Sequence, residues 1–305
     1  MIKDFINIKD FTGEQLNKLL DLAIAEKAAF KAGKLPATLR NKTLAMIFEK
    51  PSLRTRVSFE TAMTHLGGHA VYLSQADIGL GSREAVQDIA RVLGRMCNAI
   101  MARTFNHEYV EQLGTFAPVP VINGLTDYSH PCQAMADLMT VQQESGKLAG
   151  RTMLFIGDGN NVALSLAAAC AKLKVKFILA SPEGYELQDE FVGALPEEFF
   201  RIIHDPRAAV AEADAIYTDT WVSMGQEAEK DQRAEHFKGF QVNADLLAAA
   251  PDGVIVLHCL PAKRGLEITD DVFEAHSGTI FAEAENRLHF QRTLLNVLIG
   301  KGGIE

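Results

Sequence analysis

The fold is decided by residues 44–66: Leu44-Ala45-Met46-Ile47-Phe48, then Glu49-Lys50-Pro51-Ser52-Leu53-Arg54-Thr55-Arg56-Val57-Ser58-Phe59-Glu60, then Thr61-Ala62-Met63-Thr64-His65-Leu66. The first five residues are uninterrupted apolar, the mark of a short buried strand. Pro51 sets a turn, and Ser52 is a favourable N-cap. Phe59, Ala62, Met63 and Leu66 then recur at i, i+3, i+4 and i+7, which gives a helix one apolar face. The segment reads as strand, loop, helix. Its loop offers the Ser52 and Thr55 hydroxyls and the Arg54 guanidinium at a helix start, the parts of an anion site. An ordinary capped helix with solvated arginines fits these residues equally well.

Outward from this unit the alternation continues. Residues 1–34 carry a helical pattern, and Ala70–Leu73, Ala99–Ala102 and Val119–Ile122 read as strands. Arg83–Leu93 and Gln133–Gln143 read as helices, the latter led in by Pro131. Around Ser145–Gly150 the chain turns polar, and we place the passage to a second domain there. Thr152–Ile156, Lys176–Ala180, Ala215–Thr218 and Val254–His258 follow as strands, with a final helix near Asn286–Ile299. The fold class expected is α/β, with two parallel-sheet domains.

The 305 residues suit two domains, and 48% hydrophobic residues supply both cores. No apolar run has the length of a membrane span, and the start lacks a signal peptide's pattern. A formal net charge of −9 argues against nucleic-acid binding and favours a small anion in a locally basic pocket. The four cysteines are widely spaced with no CxxC pair, as in a reduced, cytoplasmic protein.

Ligands of parallel sheets bind beyond the carboxyl ends of the strands, so the polar residues found there are the site candidates. Arg103 ends one strand, as a cleft cation or a surface ion-pair partner. His130-Pro131-Cys132-Gln133 opens a helix and brings an imidazole and an amide, suited to polarising a carbonyl or to capping a turn. Gly157-Asp158-Gly159-Asn160-Asn161 resembles half of a dinucleotide fingerprint. Val162 stands where its third glycine belongs, and no acidic residue ends the next strand. Asn161 is then free to present its amide to a substrate carboxylate. Asp219 and Ser223 flank the only tryptophan and can bracket an ammonium, or simply form a turn. Cys259, in His258-Cys259-Leu260-Pro261, is a nucleophile, a metal ligand or a close contact for an amine. Zinc is disfavoured because the other Cys and His residues lack ligand spacing. Leu260-Pro261 is a candidate cis bond. Glu285-Asn286-Arg287 is read as the start of the last helix, with Arg287 able to return to the anion site.

Taken in order, Phe-Glu-Lys-x-Ser-x-Arg-Thr-Arg, His-Pro-x-Gln, Gly-Asp-x-Asn-Asn, Asp-x-x-x-Ser-Met-Gly, His-Cys-Leu-Pro and Glu-Asn-Arg resemble the ornithine carbamoyltransferases over nearly the whole chain. The resemblance implies a carbamoyl phosphate-binding domain of residues 1–140 plus 286–305 and an ornithine-binding domain of residues 141–285, with the C-terminal helix returning to the first domain. It implies a carbamoyl phosphate site of Ser52, Leu53, Arg54, Thr55, Arg103, His130, Gln133, Leu260 and Arg287, with Leu53 and Leu260 acting through their backbones. The ornithine site implied is Asn161, Asp219, Ser223, Met224 and Cys259. Arg103, His130, Asp219 and Cys259 are the catalytic candidates. The family needs no metal or redox cofactor and assembles as a homotrimer or multiple of trimers, with active sites shared between subunits. N-acylornithine or putrescine as acceptor, and a non-catalytic scaffold on the same fold, are the alternatives.

Two residues depart from the family pattern. Leu53 stands where threonine is usual, and a donor lost to an ionic group costs roughly 1.5–3 kcal/mol unless it is compensated. Gly79 stands where glutamine or histidine is common, a residue the family uses to reach a neighbouring subunit's phosphate site.

Overall fold

The computed structural model describes residues 2–223 and 225–300. The chain divides into two compact units, Met1–Ala136 with Asn286–Glu305, and Asp137–Glu285. The unit boundaries fall inside two helices, Pro131–Ser145 and Ser277–Ile299.

In the first unit β1 (Thr43–Phe48), β2 (His69–Ser74), β3 (Ala99–Arg103) and β4 (Val121–Leu125) form one parallel sheet in the order β2-β1-β3-β4. β3 is buried along its whole length, as expected for a parallel strand covered on both faces. Ala45, Ile47, Ile100, Ala102, Val110, Leu113 and Val121 belong to a core on one side of this sheet. Chain order reverses between β1 and β3, and the register Phe48↔Arg103 ends both strands together.

In the second unit β5 (Thr152–Ile156), β6 (Lys176–Ala180), β7 (Phe200–Ile203), β8 (Ala215–Thr218) and β9 (Ile255–His258) make a parallel sheet in the order β7-β6-β5-β8-β9. Its core includes Leu154, Ile156, Ile178, Ile216, Val256, Trp221, Phe237 and Phe273. The order reverses between β5 and β8. Thr218 aligns with both Ile156 and His258, so the loops after β5, β8 and β9 emerge side by side. The α/β class with two parallel sheets is therefore as expected. Each sheet has a switch point, the place where such sheets bind ligands.

Several boundaries differ from the expected ones. The last helix starts at Ser277 rather than near Asn286, so Glu285-Asn286-Arg287 lies inside it. The helix expected from Arg83 begins at Val86, because residues 81–84 close a local turn in which Gly81 N–H donates to Glu84 O at 3.0 Å. β4 begins at Val121, one residue after Pro120, which has no N–H to give a sheet. Among the described residues no helix is long and apolar enough to cross a membrane.

Candidate functional site

The first group of candidates sits at the β1/β3 switch point of the first unit. Ser52 caps helix Leu53–His65 with extended backbone, and its Oγ accepts from Thr55 N–H at 3.3 Å. The cap turns the loop so that Thr55 is fully buried while the Leu53 side chain is 75% exposed. Arg287 reaches the same place from the last helix, donating from Nη2 to Thr55 Oγ1 at 2.8 Å across 232 residues of sequence. Arg103, at the end of β3, is buried, and its Nε has no hydrogen-bond partner among the described residues. Burial, then repulsion from Arg287 and Arg54, pushes its pKa down to about 9.

His130 immediately precedes helix Pro131–Ser145 and is buried with Gln133. Burial and the charges of Arg287, Arg103, Arg54 and Lys50 hold its imidazole well below the usual pKa, so it is neutral at physiological pH. A neutral imidazole among cations donates a hydrogen bond without giving up a proton, a way to polarise a carbonyl oxygen. Lys50 is buried, paired with Asp127 and lying 4.3 Å from the Phe105 ring centroid. Crowded cations of this kind disfavour one another until an anion joins them, and a phosphate ester is the anion that guanidinium forks fit best.

Gly79 has a local explanation. It ends the short helix Gln75–Ile78 at φ 56°, and a Cβ there would lie 2.7 Å from Arg83 Cβ. Arg83 folds back to donate to the Asp77 carbonyl, and Ser82 Oγ donates to Gly79 O at 3.1 Å. The loop has closed on itself in a form that a side chain at position 79 does not permit.

The second group lies at the β5/β8 switch point of the second unit. Asn160 caps helix Asn161–Lys172, its Oδ1 accepting from Val162 and Ala163 N–H at 2.9 and 3.0 Å. Asn160 Nδ2 donates to Asp219 Oδ2 at 2.9 Å, and Cys259 Sγ donates to Asp219 Oδ1 at 2.9 Å. Burial and the nearby carboxyls of Asp219, Glu283 and Asp137 drive the Cys259 pKa well above the ordinary value. It is therefore a protonated thiol and a hydrogen-bond donor, which narrows the three roles left open for it. Asn161, next to Asn160, and Ser223, a few residues after Asp219, are half-buried, and Met224 lies outside the described residues.

In Gly157-Asp158-Gly159 the first glycine takes φ 151° and the second serves packing. A Cβ on Gly159 would meet the Glu186 carbonyl carbon and Leu187 N at 2.4 Å, so the close approach here is to the 186–187 backbone. Asp158 accepts from Arg233 Nη1 at 3.0 Å, and the same nitrogen donates to Trp221 O at 3.1 Å. Arg233 thereby pins the base of the loop that carries Asp219 and Ser223.

His258 is fully buried. Its Nδ1 accepts from Leu260 N–H at 2.9 Å, so Nε2 carries the proton and donates to Glu267 Oε1 at 3.0 Å. Leu260 has φ 59°, and the Leu260-Pro261 bond is cis, as expected. Ligand atoms of Asp219, His258 and Cys259 lie within 4.8 Å of one another. Sequence spacing could not show that triplet, because Asp219 arrives from 40 residues away. Both His258 ring nitrogens are already hydrogen-bonded within the protein. Glu267, Asn160, Arg233, Asp137 and Glu283 were not among the sequence candidates. Only Asn160, inside a quoted motif, carried a local signal.

Clustered cations with a neutral imidazole at one switch point, and a carboxylate paired with a thiol at the other, suit a group-transfer enzyme. The chain belongs to the aspartate/ornithine carbamoyltransferase family. Residues 3–143 match that family's carbamoyl-P binding domain, and residues 149–298 match its Asp/Orn binding domain. Within the family its similarity runs to the ornithine enzymes. It is 49% identical over 304 residues to the ornithine carbamoyltransferase of Pyrococcus abyssi, covering 98% of this chain and 96% of that one. It is 48% identical over 304 residues to the anabolic ornithine carbamoyltransferase of Pyrococcus furiosus, covering 98% and 96%. A solved ornithine carbamoyltransferase from Pyrococcus furiosus superposes with a TM-score of 0.94 at 48% identity, covering 99% of this chain and 98% of that one. One from Thermus thermophilus gives 0.89 at 41% identity, covering 98% and 99%.

Proposed function

We propose that the chain transfers the carbamoyl group of carbamoyl phosphate to the side-chain amine of L-ornithine, giving L-citrulline and phosphate in arginine biosynthesis. The observation that carries this reading is the Cys259–Asp219 pair at 2.9 Å at one switch point, together with the Arg103, Arg54, Arg287 and His130 cluster at the other. The full-length similarity to ornithine carbamoyltransferases supports it.

In this reading Ser52, Arg54, Thr55, Gln133 and Arg287 hold the phosphate and carbamoyl groups, with backbone groups of Leu53 and Leu260. Arg103, His130 and Thr55 polarise the carbonyl as the tetrahedral intermediate gains charge. Asn161 and the Met224 backbone take the ornithine carboxylate, while Asp219 and Ser223 take its α-amino group. Cys259 lies near the attacking amine. That amine, with a reference pKa of ~10.4, attacks as the neutral form, and a desolvated pocket rich in cations favours that form. The nitrogen bonds the carbonyl carbon, the bond to the phosphate oxygen breaks, and the departing phosphate takes the amine proton. Holding both reactants together supplies the remainder through proximity. The protein works in the cytoplasm as a homotrimer or a multiple of trimers.

A citrulline assay offering ornithine and N-acetylornithine in parallel tests the reading. Citrulline from ornithine, lost in Cys259→Ala and Asp219→Asn, is the expected result. Preference for the acetylated amine, or no product above those controls, would overturn it.

A further inference from the structure

Behind the end of β9, two acidic side chains meet with no access to water. Asp137 on helix Pro131–Ser145 and Glu283 on helix Ser277–Ile299 are both fully buried and hydrogen-bonded to each other through their carboxyl groups. Two ionised carboxylates have no hydrogen to share, so this contact requires a proton on one of them. Like charges at contact distance, away from water, favour retaining that proton. Burial first, and then Asp137, raises the Glu283 pKa well above the ordinary carboxylate range. Glu283 Oε2 accepts the backbone N–H of His258 at 2.9 Å, in a fully buried bond. The residue after His258 is Cys259, whose thiol donates to Asp219. The other titratable groups facing the pair are Tyr217 on β8, Asp219 after β8, Cys259 after β9, and Cys170 on helix Asn161–Lys172.

We propose that Asp137 and Glu283 form a proton-sharing carboxyl pair that positions the segment His258–Cys259–Leu260 for the amine step. They are positioning residues and act through the strand end. Sharing one proton leaves the pair a single negative charge. That charge leaves Glu283 an acceptor for the His258 N–H and, with Asp219, opposes loss of the Cys259 proton. The role in the amine step rests on the function proposed above, whereas the shared proton does not.

Infrared spectroscopy of the full-length protein at about pH 8 is the direct test. A carbonyl band of a neutral carboxylic acid is expected in the wild type and is lost in both Glu283→Gln and Asp137→Asn, because each leaves a lone carboxylate bonded to an amide. Kinetics supply the second readout. Glu283→Gln and Asp137→Asn keep both hydrogen bonds and are expected to hold kcat within about threefold, whereas Glu283→Ala loses about tenfold or more in kcat/KM for ornithine. The KM for carbamoyl phosphate changes less than about twofold in the two amide variants and rises in Glu283→Ala, because the same segment carries the Leu260 backbone. Absence of the acid band in the wild type, or a folded Glu283→Gln as impaired as Glu283→Ala, would overturn the proposal. If Glu283→Ala fails to fold, the two amide variants and the band still decide. A wild-type chain that makes no citrulline overturns the functional reading, while the band and its loss in the variants still confirm or reject the shared proton.

Discussion

Arg103 and His130 carry the electrostatic history of the first unit in their protonation. Crowding with Arg54 and Arg287 lowers the Arg103 pKa to about 9. A cation with a depressed folded pKa costs stability at every pH below that value, and the penalty fades as pH rises through it. His130 is lowered by the same neighbours and by burial. Its ring should therefore remain neutral at about pH 6, where a free histidine is largely charged, and inorganic phosphate should raise its pKa. Histidine-selective NMR titration with and without phosphate checks both statements. Leu53 makes a separate prediction. Because its side chain is 75% exposed, Leu53→Thr removes no core packing and adds a hydroxyl at the loop. The KM for carbamoyl phosphate should fall about three- to tenfold, on the order of 1 kcal/mol. An unchanged KM would mean that backbone donors already satisfy the phosphate.

At the scale of the element, the loops are set by backbone shape as much as by charge. Gly79→Ala forces a side chain into a left-handed residue and against Arg83, and should cost about 1–2 kcal/mol. Gly159→Ala drives a Cβ into the backbone of residues 186–187, which cannot rotate away, and should cost more. Thermal melts of the two variants would rank them. The Asp158–Arg233 contact makes the 219–223 segment sensitive to acid. Burial raises Asp158 to about 6 despite the pull of Arg233. Protonation below that pH removes one of the two carboxylates that hold Arg233, leaving Glu229 on Nε at 2.8 Å and loosening Nη1, the nitrogen that donates to Trp221 O. Affinity for 2-aminopentanoate, which lacks the titrating side-chain amine of ornithine, should weaken as pH falls through about 6, and Asp158→Asn should abolish that dependence.

Strands were legible where apolar runs were unbroken, and Thr152–Ile156, Lys176–Ala180 and Ala215–Thr218 end where the sequence pattern ends. β7 carried no such signal, because it pairs only with β6, exposes Arg201 and spans four residues. The early start of the last helix was hidden by Ser277-Gly278-Thr279, residues that ordinarily interrupt helices.

For the whole molecule, the two units make their contributions to the chemistry separable. Asp219→Asn should leave calorimetric binding of carbamoyl phosphate within about twofold while abolishing citrulline formation, since Asp219 is assigned to the amine and not to the phosphate. Equal loss of both would mean that the two groups of residues are energetically one. The pairs that matter most at this scale were illegible in sequence. Arg287 with Thr55, Cys259 with Asp219, and Glu283 with Asp137 are joined by topology across 232, 40 and 146 positions, and no local period records them. What the sequence did show was the polar residue at each strand end, because parallel sheets with a reversal of strand order converge there.

The arginine cluster has a consequence in the thermodynamics of the cell. Free energy spent on holding like charges together in the folded chain is returned by whichever anion settles among them, so substrate supply and protein survival become linked. By mass action a ligand at a hundred times its Kd adds about 2.7 kcal/mol to the folded state. A chain starved of carbamoyl phosphate would then be the softer target for proteolysis, and its abundance would follow the metabolite it consumes.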